Sequence, residues 1–341
     1  MSAVKDDATG EIITREGDWP DLIPQLAPWI SEVRGKLIPN QPLSEISWFR
    51  VGGPAQLFYQ PADEADLSFF LRNLPADIKV TVIGLGSNLL IRDGGIDGVV
   101  IRLSAKGFGA IEVLDGFRIR AGTALPDVKV ATAAAEAGID GLTFYRGIPG
   151  GIGGALYMNA GCYGTETRDR MVELRAVLRS GEIVTLSNAD MGYLYRKSNG
   201  PRGAVFVSAV YQGFAGDRDS ILERMREITE KRESSQPTKA KTGGSTFKNP
   251  DGHSSWKLID AAGGRGLTFG GAQMSELHAN FLLNLGTADA FEVETLGEMV
   301  RQKVRDTHGI ELKWEIRRMG HFAAGREVRE FMDGDVFTGA V

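Results

Sequence analysis

The sequence has few of the features that assign a protein to a class at first sight. Its 341 residues include one cysteine, Cys162, so an internal disulfide is excluded and a reducing compartment is favoured. No apolar run reaches the ~18 residues that a membrane-spanning helix needs, and the polar N-terminus does not have the apolar core of a secretory signal. We therefore expect a cytoplasmic protein without a membrane partner.

Concentrated positive charge and metal-ligand spacings are also missing. The net charge is −5 and no block of lysine or arginine stands out, so we expect no nucleic-acid partner. The four histidines (His253, His278, His308 and His321) show no metal-ligand spacing, so we expect no metal site. We also expect a monomer, although no residue pattern bears on self-association.

Glycine, in contrast, is abundant, with 44 residues, and it is densest between Arg146 and Gly164. Each glycine costs about 0.5–1 kcal/mol of conformational entropy relative to alanine, but allows positive φ and close backbone approach. Exposed backbone N–H groups in such a loop suit a phosphate. A further cluster, residues 83–90, directly follows a predicted strand, and Gly52 and Gly53 form another. In chain order, residues 83–90 are called the first glycine cluster and residues 146–164 the second. Any one cluster could be a tight turn, but together they favour a bound nucleotide.

The clusters match neither of the common nucleotide-binding loops. No third glycine completes G-x-G-x-x-G after Gly84 and Gly86, and the span from Gly147 to Gly154 does not supply it. No G-K-[ST] ending follows, so a Walker A loop is excluded as well.

Hydrophobic periodicity predicts a series of strands, hairpins and helices along the chain, and the length of the chain indicates more than one domain. The predicted elements are a short helix over 21–34, strands at 79–84 and 98–103, a type I′ hairpin turning at Asp115–Gly116, a helix over 127–137, a hairpin over 172–186, a strand over 204–211, helices over 217–233 and 254–262, a strand at 280–284, a helix from an N-cap at Thr287 to His308, and a strand over 312–318. We expect an N-terminal segment 1–35, a two-lobed domain 36–214 split near 105, a C-terminal domain 215–320 and a surface tail 321–341.

Three ordered motifs carry a resemblance to a known family. They are residues 50–55 (RVGGPA), residues 86–93 (GSNLLIRD), and residues 147–161 (GIPGGIGGA followed by MNAG). In this order they resemble the FAD-binding half of UDP-N-acetylenolpyruvoylglucosamine reductases, bacterial flavoenzymes that make UDP-N-acetylmuramate. The resemblance covers roughly residues 36–320. It implies an α+β protein with a two-lobed FAD-binding domain of the vanillyl-alcohol-oxidase (PCMH) type, followed by a smaller α+β substrate domain.

The same resemblance implies non-covalently bound FAD, with NADPH as reductant. The cofactor-binding residues that it implies are Val51, Gly52, Gly53, Gly84, Gly86, Ser87, Asn88, Leu89, Gly147, Ile148, Pro149, Gly150, Gly151, Ile152, Gly153, Gly154, Asn159 and Gly161.

Three later motifs are similar to the catalytic elements of this family. Tyr-Arg-x-Ser implies an active-site arginine at Arg196, Gly-Ser-x-Phe-Lys-Asn-Pro a proton-donating serine at Ser245, and Glu-Ile-Arg a catalytic carboxylate at Glu315. Strand parity alone does not choose between Glu311 and Glu315, and the motif favours Glu315.

The neighbours of these residues are the expected contacts to a UDP-sugar substrate: Tyr195, Lys248, Asn249 and Arg317. Lys248 could instead face solvent. Ser235 stands where many relatives have Lys or Thr, so Lys231, Lys239 and Lys241 remain open candidates for the substrate diphosphate. The short link after Arg196 resembles the second type of the family, which lacks a tyrosine-bearing loop.

Two other functions stay open at this stage. An FAD-dependent oxidase with the same FAD domain and another substrate is one, although no Arg-Ser-Gly-Gly-His linkage motif is present. A nucleotide-binding sensor that has lost catalysis is the other, and the complete set of Arg196, Ser245 and Glu315 speaks against it.

Overall fold

The computed structural model describes residues 14–15, 17–27 and 29–329, and residues 1–13, 16, 28 and 330–341 lie outside this description. The strands are β1 (Thr14–Arg15), β2 (Lys36–Pro42), β3 (Pro54–Gln60), β4 (Val80–Val82), β5 (Leu89–Ile91), β6 (Ile96–Ile101), β7 (Ile111–Leu114), β8 (Arg118–Gly122), β9 (Ile139–Asp140), β10 (Gly161–Cys162), β11 (Thr165–Glu166), β12 (Met171–Val177), β13 (Ile183–Ser187), β14 (Val205–Gln212), β15 (Phe214–Ala215), β16 (Thr268–Phe269), β17 (Ala272–Met274), β18 (Leu282–Asn284), β19 (Arg317–Met319) and β20 (Phe322–Ala323).

The α-helices are α1 (Ile23–Leu26), α2 (Glu64–Asn73), α3 (Ala105–Phe108), α4 (Asp127–Glu136), α5 (Ile152–Met158), α6 (Arg218–Ser235), α7 (Ser255–Ala261) and α8 (Ala290–His308). Short 3-10 helices cover Trp29–Glu32, Leu43–Glu45, Thr143–Gly147, Thr167–Asp169 and Ala189–Met191.

The first unit is a four-stranded sheet with the order β2-β3-β6-β4, in which β3 and β4 both run parallel to β6. Helix α2 packs Leu67, Phe70 and Leu71 against the sheet, in one core with Leu57 and Val99. The Val- and Ile-rich sequence of β6 fits a parallel strand buried on both faces, with Val99 and Ile101 in this core and Ile96 and Val100 in the core on the other side. The chain leaves β4 at the edge of this sheet and enters the glycine cluster at residues 83–88.

The second unit is an antiparallel sheet with the order β13-β12-β14-β8-β7. Helix α4 lies on it through small buried side chains, among them Ala131, Ala134 and Ala135, beside the rings of Tyr145 and Tyr211. Alanine lets the helix approach closely and costs no helix propensity. After α4 the chain passes through a 3-10 helix into the densest glycine segment and α5.

The third unit packs α7 and α8 on the antiparallel sheet β16-β17-β18. Helix α8 buries Val293, Leu296, Val300 and Val304 at the three- and four-residue spacing of one helix face. A Cβ at Gly297 would lie 2.1 Å from the Trp314 ring, so this helix position needs glycine.

Backbone pairing, not a linker, joins the third unit to the first. Strand β19 runs parallel to β5, with Arg317 opposite Leu89. The Asp93 carboxylate accepts hydrogen bonds from the N–H groups of Ala290 and Phe291, which begin α8. The residues of the third unit that follow Trp314 are therefore held directly against the first glycine cluster.

Most of the predicted elements are confirmed within a few residues, including α4, α6, α7, β14 and the hairpin of β12 and β13. The hairpin of β7 and β8 is also present, but its predicted type I′ turn is wrong. Leu114 pairs with Arg118, and positive φ occurs at Gly116 and Phe117. The loop therefore has three residues and ends in a left-handed residue, whereas type I′ would need positive φ at Asp115.

Three other local predictions are wrong. Asp289, not Thr287, caps α8, since its side chain accepts from Glu292 N–H in a capping box. The last predicted strand is confined to β19, because Trp314 pairs with Phe247 instead. The helix over 21–34 stops at Leu26, because Ala27 is extended, as expected before a proline.

The interpretation of residues 321–341 as a surface tail is wrong for the part that the structure describes. Phe322 and Val328 are buried, and β20 runs parallel to β1. Trp19, Leu22 and Leu26 of the N-terminal segment are buried as well. Residues 1–13, 16 and 28 of the first segment and residues 330–341 of the second lie outside the described residues.

Candidate active site

A cavity of about 360 Å³ lies between the two glycine clusters and the third unit. Most of the residues predicted to bind or react line its wall: Gly84, Gly86, Ser87, Asn88, Leu89, Gly147, Ile148, Pro149, Gly150, Gly151, Gly153, Gly154, Gly161, Arg196, Ser245, Glu315 and Arg317. Residues from five separate parts of the sequence thus meet at one site.

The first glycine cluster presents unpaired backbone donors to this cavity. Gly86 has a φ of 77°, and a Cβ there would lie 2.6 Å from the Ile46 carbonyl oxygen. The N–H groups of Ser87 and Asn88 find no acceptor within the described part of the chain. A turn of this kind, with free N–H groups beside a hydroxyl and an amide, suits the diphosphate of a dinucleotide.

The second glycine cluster is fixed by backbone pairing to the chain that precedes α4. Gly151 pairs with Pro126, and Ile152 N–H donates to the Leu125 carbonyl at 3.0 Å. This pairing holds a glycine-rich, side-chain-free wall against the cavity, where a flat ligand can approach the backbone closely.

Arg196 reaches into the cavity from a tight turn. Its φ is 54°, within a turn closed by two backbone hydrogen bonds between Leu194 and Lys197. Its Nε donates to Glu315 Oε1 at 3.1 Å, and its Nη2 donates to the Gly161 carbonyl at 2.9 Å. The guanidinium therefore bridges the second glycine cluster and the third unit.

Glu315 is held by its backbone on both sides. Its N–H donates to the Thr246 carbonyl at 2.8 Å, and its carbonyl accepts from Asn88 Nδ2 at 3.3 Å. Burial raises the pKa of the Glu315 carboxyl above its usual range, while the charges of Arg196 and Lys248 act in the opposite direction. The Arg196 guanidinium and the Glu315 carboxyl therefore form a half-buried ion pair on the cavity wall.

Glu311, the alternative of the same strand parity, lies away from the cavity. It pairs with Arg301 at 2.9 Å, and its side chain is 64% exposed. The placement of Glu315 on the cavity wall agrees with the choice that the motif made.

Ser245 lies on a short segment that pairs with two other parts of the third unit, at Phe281 and, through Phe247, at Trp314. It pairs with Phe281 through its backbone, and the next residue, Thr246, accepts the N–H of Glu315. Its hydroxyl makes no hydrogen bond with the described residues, so the proton is available to a ligand.

Three of the four predicted substrate contacts do not line the cavity. Tyr195 is half-exposed beside Arg196, which lies over its ring at 4.9 Å. Asn249 accepts the N–H of Ser255, so it stabilises the start of α7. Lys248 stands next to this segment and acts on Glu315 through its charge. Only Arg317 faces the cavity, with its guanidinium 4.5 Å from the centre of the Tyr157 ring.

Several predicted cofactor residues support the wall without lining it. Gly52 and Gly53 pack against the backbone of residues 91–95, where a Cβ at Gly53 would lie 2.1 Å from the Asp93 carbonyl oxygen. Val51 and Ile152 are buried in the cores. Asn159 is fully buried at a φ of 44° and bonds within the protein.

Asp127 and Tyr157 are among the side chains on the cavity wall that the sequence analysis did not propose. Asp127 was interpreted as the first residue of a helix, and Tyr157 was passed over inside the glycine-rich motif. An acidic residue that follows proline at a helix start usually faces water, so no local signal marked it as buried.

The described residues contain neither a candidate metal site nor a candidate membrane-spanning helix. No group of three or more His, Cys, Asp or Glu side chains could hold a metal ion. None of the described helices has both the length and the apolar character needed to cross a membrane.

Comparisons with known proteins agree with this geometry. Residues 55–187 match the FAD binding domain family, and residues 236–319 match the family described as UDP-N-acetylenolpyruvoylglucosamine reductase, C-terminal domain. UDP-N-acetylenolpyruvoylglucosamine reductase of Azorhizobium caulinodans is 57% identical over 302 residues, 89% of this chain and 97% of that protein. The crystal structure of UDP-N-acetylenolpyruvylglucosamine reductase (MurB) from Thermus caldophilus is similar with a TM-score of 0.72 and 30% identity, over 84% of this chain and 99% of that one. The predicted fold class, an FAD-binding domain followed by a smaller α+β domain, is confirmed.

Proposed function

The chain belongs to the UDP-N-acetylenolpyruvoylglucosamine reductase family, and we propose that it reduces the enolpyruvyl ether of UDP-N-acetylglucosamine to UDP-N-acetylmuramate. It is an oxidoreductase with an FAD-binding domain, of the kind that serves peptidoglycan precursor synthesis. Non-covalent FAD, NADPH as reductant and a cytoplasmic location belong to the proposal.

One observation carries the proposal. Arg196, Ser245 and Glu315 are far apart in sequence, yet all three line one cavity opposite two glycine clusters. A nucleotide-binding sensor would not need this set of polar groups around a ligand. The oxidase alternative is not favoured, since the matched C-terminal family is that of the reductases.

The residues present fit FAD. Free N–H groups at Ser87 and Asn88 suit its diphosphate, and the glycine wall at 150–154 leaves room for close approach of a planar ring. When bound, FAD supplies a hydride to the vinyl methylene carbon. Cys162 lines the cavity, but burial raises the pKa of its thiol to about 11, and Sγ donates to the Phe144 carbonyl. It is therefore a poor nucleophile, which supports a non-covalent cofactor.

The protein's own groups handle the charge and the proton. As the methylene carbon gains a hydride, the electron pair of the double bond moves to the carbon that bears the carboxylate. Arg196 stabilises the negative charge that spreads onto the carboxylate, and Glu315 fixes the orientation of Arg196. Ser245 then donates its hydroxyl proton to that carbon, which completes the reduction.

The link from Arg196 to β14 covers only residues 197–204. This supports the second type of the family, which has no additional tyrosine-bearing loop.

The proposal is tested with the variant Ser245→Ala. Removal of a positioned general acid costs about 10²–10⁴-fold in rate, so reduction by NADPH should stay normal, while reoxidation by the enolpyruvyl substrate slows by that factor. Stopped-flow absorbance of the flavin measures both steps. Ser180→Ala, at the exposed hairpin turn between β12 and β13, is the matched control. Normal reoxidation in the Ser245 variant would contradict the proton-donor role, and absence of substrate-dependent NADPH oxidation in flavin-loaded wild type would contradict the function.

A further inference from the structure

Asp127 is a buried carboxylate without a partner. It is the first residue of α4, its side chain has 0% exposure, and its N–H donates to the Gly150 carbonyl at 3.0 Å. Neither carboxyl oxygen has a hydrogen-bond partner among the described residues.

Such a group is costly in a folded protein. A buried polar group that loses its hydrogen bonds to water without replacement destabilises the fold by ~1–3 kcal/mol, and more when it is charged. Burial raises the pKa of Asp127 well above its usual range, and no basic side chain opposes this. Burial therefore favours the neutral form of the side chain, which has one O–H donor and remaining acceptor capacity.

The position of Asp127 links it to the ligand cavity. Asp127 lines the cavity between the two glycine clusters. A Cβ at Gly150 would lie 3.0 Å from Asp127 Oδ2 and 3.4 Å from Ser87 Oγ. The carboxyl thus lies next to the side-chain-free part of the wall, and the Ser87 hydroxyl lies beside the same glycine.

The chemistry of the group selects its partner. A phosphate offers only acceptors, so it could use the O–H of a neutral carboxyl but would leave the other carboxyl oxygen without a donor. A hydroxyl or an imide both donates and accepts, which matches a neutral acid. The riboflavin portion of FAD has ribityl hydroxyls and an imide edge.

We propose that Asp127 is a cofactor-binding residue that exchanges hydrogen bonds with an uncharged hydroxyl or imide group of the riboflavin portion of FAD. The inference rests on the proposed use of FAD. It explains why the protein retains a carboxyl group that its own residues leave unsatisfied.

The experiment measures FAD, riboflavin and ADP binding to the full-length protein freed of flavin, together with its thermal unfolding. Asp127→Leu is close in shape and apolar, so we expect at least a tenfold weaker Kd for FAD and riboflavin, unchanged weak binding of ADP, and an apoprotein as stable as wild type or more so. Asp127→Asn also donates and accepts, and its FAD affinity should stay within about threefold of wild type.

Asp66→Asn is the matched control, because this carboxylate is also buried but fully engaged by Tyr59, Ala62 and Arg34. It should lower stability without changing the FAD Kd of the folded protein. Equal FAD affinity of Asp127→Leu and wild type, a loss confined to ADP, or a destabilised Asp127→Leu apoprotein would each overturn the inference. Wild type that binds no FAD would instead contradict the proposed function.

Discussion

Asp127 beneath the glycine-rich wall and Glu294 beneath the opposite wall are both fully buried carboxylates, but only Glu294 has cationic partners. Glu294 accepts two hydrogen bonds from Arg92, at 2.9 and 3.0 Å, and lies 3.3 Å from Arg318. The difference separates two uses of a buried acidic side chain. A carboxylate that the chain itself neutralises holds the units together, and one that the chain leaves unsatisfied marks the place of a ligand.

The paired group continues into a second carboxylate. Glu298 accepts from Arg301, from Trp314 Nε1 at 2.7 Å and from Arg318 at 3.0 Å. Arg318 belongs to β19, which follows Glu315 directly. The network therefore fixes the strand that follows Glu315, the carboxylate of the proposed mechanism, although none of its members lines the cavity.

The largest effect is expected from removing the charge of the paired carboxylate, Glu294. Glu294→Gln leaves the buried charge of Arg92 without its counterion, so we expect a loss of about 3–5 kcal/mol in the free energy of unfolding. Urea unfolding monitored by tryptophan fluorescence measures it. Glu64→Gln is the matched control, since Glu64 makes the same two-bond contact with Arg175 at the surface. It should lose less than about 1 kcal/mol, and equal losses would remove the distinction between buried and exposed pairs.

On the glycine-rich side of the cavity, Asn159 is a buried polar residue whose hydrogen bonds are satisfied within the protein. It is as buried as Asp127, but its amide accepts from Arg168 N–H and donates to Glu166 and to the Leu194 carbonyl, each at 3.0 Å. Asn159→Ala should cost about 2–3 kcal/mol through lost hydrogen bonds and a strained positive φ. Asn159→Gly keeps the backbone relaxed and should recover about 1 kcal/mol of this. Thermal unfolding of both variants tests it, and an Asn159→Ala protein more stable than Asn159→Gly would show that the φ is not maintained.

Asp97 provides a carboxylate of intermediate burial, with a smaller expected effect. It accepts from His321 at 3.0 Å and from Lys79 at 2.9 Å, and the hydrogen bond with His321, ahead of that with Lys79, lowers the pKa of Asp97 to about 2. A lowered pKa stabilises the fold above the ordinary pKa of aspartate, and this stabilisation disappears as the pH falls through 2. Asp97→Asn should therefore cost about 1–2 kcal/mol at neutral pH and almost nothing near pH 2. Urea unfolding across that range measures the difference, and a loss independent of pH would contradict the ionic origin.

The local part of this protein could be predicted because local sequence encodes it. The helix over 127–136 follows from its alanine-rich periodicity, and the turn at Gly138 from the need for positive φ there. The glycine clusters predicted a nucleotide-type cavity, because glycine costs conformational entropy on folding and is therefore concentrated where the backbone must approach a ligand or turn tightly. The wrong predictions of secondary structure include residues whose conformation depends on a neighbour in space. Trp314, for example, pairs with Phe247 and does not belong to the predicted strand over 312–318.

By itself, the sequence determined the order of the secondary structure elements, the two glycine-rich walls and, through its motifs, the candidate residues Arg196, Ser245 and Glu315. The packed structure was needed to show that Glu315 and not Glu311 faces the cavity, that Arg92 neutralises Glu294 from 202 residues away, and that the Asp127 carboxyl has no hydrogen-bond partner among the described residues. The physical reason is that helix and turn preferences act over a few residues, whereas the burial and pairing of a charge depend on all the chain that packs around it.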